Sequence, residues 1–201
     1  ALESYDLRPM FIESHRLAQF NPRGTDVAGV LDLMIHDIDV ILSLVQSPVS
    51  TIDANGVAVV SESVDIANAR LQFENGCVAN VTASRISQTK MRKMRMFQHN
   101  GYISIDFSQG LAEVFRLVND GESTAGTTML LGQIGEGKKK RNIVYEQPEV
   151  KEVNALKYEL ESFVNAIREK KEPVVSGVDG RRALEVAQQI LNTIQVQKFG
   201  V

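Results

Sequence analysis

Residues 64–86 read VDIANARLQFENGCVANVTASRI, and the fold turns on how this stretch is read. Two runs, LQFE and CVANVTA, flank Asn75–Gly76, a dipeptide suited to a tight turn that needs positive φ, so they read as a β-hairpin. In VDIANARLQF, Val64, Ile66, Ala69 or Leu71, and Phe73 approximate one face, the pattern of a half-buried strand. The same texture extends from Val49 to Pro148 through STIDANGVAVV, MRKMRMFQ, YISIDF, LAEVFRLV and NIVYEQ, with a second turn signed by Asn100–Gly101. Strands this closely spaced are most simply antiparallel, because a parallel pair needs a longer crossover. A meander is therefore predicted, and the segment 119–140, rich in Gly, Thr and Lys, reads as its flexible loop.

Helical periodicity brackets this region. MFIESHRL reads as a strand that leads through the loop NPRGTD, where Thr25 or Asp26 can cap, into GVLDLMIHDIDV at residues 29–40. Leu31, Met34, Ile35, Ile38, Ile41, Leu42 and Val45 fall on one side of that helix, and Asp32, His36 and Asp39 on the other. Pro48 marks its end. After Pro148, Leu156, Leu160, Phe163, Val164 and Ile167 form one apolar stripe that Pro173 terminates. A last helix carries Leu184, Ala187, Ile190, Leu191 and Ile194 on one face, with Asp179 as its cap. The predicted class is α+β, a large and mostly antiparallel sheet with helices on one face. The open face needs cover and reads as an oligomer interface, in a homodimer or tetramer.

The 201 residues are 43% hydrophobic, enough for one domain with a real core. With 22 basic and 25 acidic residues the net charge is −3, so neither nucleic acid nor an anionic membrane is an expected partner. A small-molecule or protein partner is expected instead. The lone Cys77 cannot form an internal disulfide, and no leader-like segment opens the chain, so a cytoplasmic setting is expected. No apolar run approaches the roughly 20 residues that span a bilayer.

Several motifs compete for a chemical role. GQIGEGKK, residues 132–139, imitates a phosphate loop, but Lys139 stands where Ser or Thr must hold magnesium, and a strand rather than a helix follows. In MRKMRMFQ, Arg92, Lys93 and Arg95 read as the polar face of a strand, although Arg92 and Arg95 can also meet an anionic substrate group. His99 reads as a hairpin-tip residue and His15 as a hydrogen-bonded sheet residue. Asp32 and His36 carry a sharper reading: a carboxylate one turn from an imidazole can fix its tautomer and raise its basicity, giving a general acid/base. They could also donate two metal ligands, but no third ligand is spaced to join them, and no metal is expected. An ordinary solvated stripe has the same spacing, so the residues alone leave these readings open.

Residues 9–46, PMFIESHRLAQFNPRGTDVAGVLDLMIHDIDVILSLVQ, together with LQFENGCVANVTASRI, YISIDF and SGVDGRRALEVAQQIL, resemble the C-terminal domain of the glucose-fructose oxidoreductase and inositol dehydrogenase family (Gfo/Idh/MocA). The D-x-x-x-H pairing and the H-x-x-D of HDID carry the resemblance, with the flavour of the branch acting on nucleotide-activated or N-acetylated sugars. It implies that residues 1–201 are the substrate-binding and oligomerisation domain of an NAD- or NADP-dependent sugar or cyclitol dehydrogenase. His36 would be the acid/base, Asp32 its orienting partner, and Arg16, Arg23 and Asp39 substrate contacts. The Glu-Lys-Pro motif and the G-x-G-x-x-G fingerprint of the family's cofactor domain are absent from this sequence, so the chain alone is expected to be inactive. The rival expectations are a ligand-sensing or scaffold module with the same fold, and a metal-dependent hydrolase.

Overall fold

The chain runs through β1 (Phe11–Leu17), a π-helical turn (Val30–Met34) continuing into α1 (Ile35–Val45), then β2 (Val49–Ala58), β3 (Ile66–Phe73), β4 (Val78–Ser84), β5 (Met91–Gln98), β6 (Gly101–Asp106), β7 (Leu111–Asn119), β8 (Thr128–Ile134) and β9 (Arg141–Glu146). Helices α2 (Ala155–Glu169) and α3 (Gly177–Thr193) and the short β10 (Gln197–Lys198) follow. The computed structural model describes residues 2–22, 26–119, 128–136, 140–150 and 154–194, and the backbone of 197–198. Of the two expected caps Thr25 lies outside the described residues, and Asp26 is not the cap: the cap position of the π turn is Gly29, with no side-chain cap.

One ten-stranded sheet has the order β10-β2-β3-β4-β1-β5-β6-β7-β9-β8. The hairpin β3–β4 and the meander β5–β6–β7 are antiparallel, as their spacing predicts. The meander is not continuous, however. β1 inserts between β4, to which it is parallel, and β5, to which it is antiparallel. The long connection through α1 permits that parallel pairing. At the far edge, Thr128–Ile134 pairs with β9, so part of the expected loop is strand. Its residues 120–127 and 137–139 are outside the described ones.

Of the two expected positive-φ turns, the first forms and the second does not. Gly76 has φ +86°, whereas neither Asn75, Asn100 nor Gly101 has positive φ. Gly101 is needed for close approach, since a Cβ there would sit 3.1 Å from the Phe115 carbonyl oxygen.

α1, α3 and the π turn cover one face of the β2–β3–β4–β1 half. Buried Ala67, Ala69, Ala79 and Ala83 let Ile38, Ile41 and Ile190 pack closely on the strands. The buried set of β3 is Ala67, Ala69, Leu71 and Phe73, so Ile66 belongs to the opposite phase. In α3 the buried face is Ala183, Val186, Ala187 and Ile190, and Leu184 is exposed. The cap of α3 is Ser176, in a reciprocal capping box with Asp179, which is the third helical residue rather than the cap. The stripe of α2 forms as its spacing predicts, yet Leu156, Leu160, Phe163, Val164 and Ile167 are all exposed, and no described residue of α2 is buried.

On the other face, Phe11, Phe97, Tyr102, Phe115 and Tyr145 occupy directly paired positions on five neighbouring strands. Their ring centroids are 4.9–6.0 Å apart, a continuous aromatic row across the open sheet.

A buried ion pair closes one end of the structure. The Asp65 carboxylate accepts from the backbone N–H groups of Val59 (2.7 Å), Val60 (2.7 Å) and Ser61 (3.1 Å) and from the Ser61 hydroxyl (2.7 Å). It lies 3.2 Å from Arg85 Nε. Arg85 Nη2 donates to the carbonyls of Val27 (2.6 Å) and Val64 (3.0 Å), and Gly29 N–H donates to the same Val64 oxygen at 2.8 Å.

This packing can be tested at two positions. A Cβ on Gly29 would lie 3.0 Å from the Val64 oxygen and 3.4 Å from the Asp65 oxygen. Gly29→Ala should therefore cost about 1–3 kcal/mol of unfolding free energy through overpacking, and an unchanged denaturant midpoint would show that the helix start can move away. Burial pushes the Asp65 carboxyl up, but the bonds from Ser61, Val60 and Val59 outweigh it and leave the pKa below the ordinary carboxylate value. Its contribution is then complete above the unfolded value of about 3.9 and is lost as pH falls from there through the folded pKa. Asp65→Asn should lower stability near neutrality by about 3–5 kcal/mol, because Arg85 loses its counter-charge, and should reduce the loss on acidification below about pH 4.

Candidate active site

β1 ends at Leu17 in the middle of the sheet, where Ala18 N–H donates to the Ser84 carbonyl at 2.7 Å. The chain leaves the sheet there and returns as the π turn. Between this corner and the start of β5 lies a cavity of about 780 Å³, whose walls include Arg16, Asp32, Arg85, Lys90, Arg92 and Phe107. Its volume suits a small organic ligand.

Arg16 is set by the parity of β1. Ile12 and Ser14 are buried on the helix side, and Arg16, two residues further, reaches the base of α1 from the same face. Its Nε and Nη2 donate to the two carboxylate oxygens of Asp37 at 2.6 and 3.1 Å, a bidentate pair with both side chains largely buried. Asp37 is a residue of the site region that the sequence patterns did not single out. Its signal was present: three residues after Met34 and four before Ile41, a carboxylate stands in core register and requires a buried cation.

Asp32 and His36 are exposed, and no hydrogen bond joins them among the described residues. The π turn bears on this. Ile35 N–H donates to the Val30 carbonyl five residues back, so the backbone is wider at Asp32 than the α-helical spacing assumes. Asp32 lines the cavity with Arg16, whereas His36 and the partly exposed Asp39 stand on the following turns outside its wall. Arg23 lies outside the described residues. His15 projects to the open face, between Thr82 and Lys93, and His99 is exposed at the β5–β6 turn.

Of the competing motifs, Gly132, Gln133 and Ile134 lie in edge strand β8, and Lys138 and Lys139 fall outside the described residues. Strand alternation sorts the basic residues of β5. Lys93 pairs with Asp106 at 3.2 Å and Arg95 with Glu13 at 2.8 Å on the open face, while Arg92 faces the cavity. Among the described residues no three His, Cys, Asp or Glu side chains are grouped to hold a metal, and no helix is long and apolar enough to cross a membrane. The exposed imidazole of His36 stands one turn beyond Asp32, the carboxylate in the cavity wall, and an exposed imidazole can exchange a proton with a polar ligand.

Residues 13–104 match the model of the GFO/IDH/MocA C-terminal domain. UDP-N-acetylglucosamine 3-dehydrogenase of Acidithiobacillus ferrooxidans is 34% identical over 182 residues, which are 90% of this chain and 53% of that protein. Its solved structure, GnnA, superimposes with a TM-score of 0.78 over 93% of this chain and 55% of that one, at 32% identity. A levoglucosan dehydrogenase solved with NADH shares the fold at a TM-score of 0.68 and 16% identity, across 92% of this chain and 56% of its own. The chain thus spans about half the length of the relatives it matches. By this match over residues 13–104, this identity and this shared architecture, the chain is similar to the GFO/IDH/MocA C-terminal domain.

Proposed function

We propose that this chain is the substrate-side half of an oxidoreductase that moves hydride between a nicotinamide cofactor, NAD or NADP, and a hydroxyl-bearing carbon of a sugar. The observation that carries the reading is Asp32 in the wall of the 780 Å³ cavity with the exposed His36 one turn beyond it. The Acidithiobacillus relative is named for UDP-N-acetylglucosamine, and a nucleotide-linked N-acetylated sugar is the substrate class proposed for this chain. No G-x-G-x-x-G turn occurs in the sequence, so this chain offers no dinucleotide cradle of its own. When bound elsewhere in the complete protein, the nicotinamide accepts or supplies the hydride. What this chain contributes is binding and proton movement. As the alcohol carbon is oxidised, the hydroxyl proton passes to a ring nitrogen of His36, and in the reverse direction His36 returns it to the carbonyl oxygen. Asp32 supports the imidazolium by its charge once the ligand has drawn the two together. Arg16, already paired with Asp37, offers hydrogen-bond donors rather than net charge, and Arg23 and Asp39 complete the proposed substrate contacts.

A scaffold module of this fold would engage Asp32 and His36 in structural hydrogen bonds with no open cleft beside them. Among the described residues both are free of such bonds, which favours the catalytic reading. The uncovered stripe of Leu156, Leu160, Phe163 and Ile167 on α2 supports a further portion of the protein seated against this domain, and the aromatic row supports association of copies through the open sheet face.

In the complete protein, His36→Ala should lower kcat about 10²–10⁴-fold while nicotinamide binding is retained, and full turnover would end the assignment. Residues 1–201 alone should show no nicotinamide-dependent oxidation of UDP-N-acetylglucosamine. Phe115→Glu, which puts charge into the aromatic row, should shift the sedimentation mass toward a monomer, and an unchanged mass would remove the open face as the interface.

A further inference from the structure

The cavity has a wall that acid/base chemistry does not use. Four cationic side chains line it, and two are matched: Arg16 by Asp37 and Arg85 by Asp65. Lys90 and Arg92 are exposed, and neither side chain has an ionic or hydrogen-bonded partner among the described residues. Arg92 stands directly opposite Arg16 across the β1–β5 pair, on the same face. Like charges so placed disfavour the folded chain, and the neighbouring Lys93 and Arg95 both have carboxylates. An uncompensated pair at the mouth of a cleft calls for an anion from outside, and guanidinium with ammonium suits phosphate oxygens.

Beside these cations stands an aromatic ring with no packing partner of its own kind among the described residues. Phe107 is 45% exposed and lines the same cavity, and its N–H donates to the Arg92 carbonyl at 2.8 Å. That bond ties the ring to the cation by the backbone. Asp106 fixes the turn that follows, accepting from the N–H groups of Ser108 (2.9 Å) and Gln109 (3.1 Å). Phe20, 50% exposed, lines the cavity from the end of β1.

We propose that Lys90 and Arg92 bind the diphosphate of a nucleoside-diphosphate-linked sugar and that Phe107 stacks on its base, leaving the sugar at the Asp32 end of the cleft. This rests on the reading of the site as that of a sugar oxidoreductase, and adds which side chains select an activated sugar over a free one. Planar bases stack on an exposed ring whatever their hydrogen-bonding edge, so Phe107 supplies affinity, and Phe20 adds a second exposed ring to the lining of the same cavity.

A diphosphate also joins the halves of a nicotinamide dinucleotide, and the test separates the two. In the complete protein, UDP binding is measured by calorimetry, and KM is measured for UDP-N-acetylglucosamine and for the cofactor. Arg92→Ala and Lys90→Ala should each weaken UDP about tenfold or more, as expected for loss of a charged hydrogen bond, and raise the sugar-nucleotide KM with the cofactor KM unchanged. Phe107→Ala should weaken UDP and leave inorganic pyrophosphate binding unchanged, which a merely structural role would not do. UDP binding unaffected by these substitutions, or a rise in the cofactor KM alone, overturns the proposal. If UDP binds through these residues but no nicotinamide-dependent oxidation occurs, the oxidoreductase reading falls and the diphosphate site stands. Oxidation of a free sugar with no UDP binding does the reverse, keeping the oxidoreductase reading and removing the diphosphate site.

Discussion

The placement of the whole helix that bears Asp32 and His36 depends on one buried ion pair, Asp65 with Arg85. Both side chains are nearly inaccessible, at 0% and 5% exposure, and charges so buried persist only when paired and hydrogen-bonded. Here the contacts join parts of the chain that are distant in sequence. Arg85 leaves the end of β4, Asp65 precedes β3, and the carbonyl of Val27 belongs to the segment just before the π turn. The pair therefore does more than stabilise a loop. It brings the start of the helix against the end of the hairpin, where Gly29 leaves room for the backbones to touch.

The second buried pair, Arg16 with Asp37, does for the body of the helix what the first does for its start. β1 lies in the centre of the sheet, so a bidentate bond from Arg16 to Asp37 fixes α1 over the strand end. One consequence is electrostatic. The charges of Arg16 and Arg85 are matched inside the protein, and the cavity's remaining positive character comes from the exposed Lys90 and Arg92. Structural and ligand-directed cations are thus separated by depth along one wall. The asymmetry follows from desolvation: a charge whose partner is external must remain in reach of water until that partner arrives.

Local chemistry was legible in the residues, and long-range assembly was not. The β3–β4 hairpin, the strands β1 to β7 and β9, and the helix carrying Asp32 and His36 follow from turn dipeptides and periodicity, which act over a few residues, whereas edge strand β8 lies in a Gly-, Thr- and Lys-rich stretch that reads as loop. The insertion of β1 between β4 and β5 depends on parallel pairing between segments far apart in the chain, for which no adjacent turn exists to advertise it. Phase errors have a similar origin. In α3, alternative apolar stripes overlap, and packing on α1 and β2 selects the one through Ala183 and Val186 rather than Leu184. The site shows both cases. Asp32 was legible from its one-turn spacing to His36, and Arg16 only through the family resemblance, as a substrate contact, whereas its bond to Asp37 was not legible. Asp37 was hidden by apparent membership of a polar HDID cluster, although its spacing from Met34 and Ile41 is that of the core.

Strand β5 shows why one sheet can serve two purposes without conflict. Its even positions, Arg92, Met94 and Met96, point to the helix side, and the odd positions, Lys93, Arg95 and Phe97, point to the open face. The first even residue reaches the cavity where the helix layer ends, and the next two enter the core. The odd residues lie beside the aromatic row and within the ion pairs to Asp106 and Glu13. A copy of this chain seated on the open face would therefore cover Phe97 and its neighbours while the mouth holding Arg92 stayed on the far side of the sheet. Pleating, which gives alternate residues opposite directions, is sufficient to keep association and ligand access apart, and no hinge or rearrangement is needed to reconcile them.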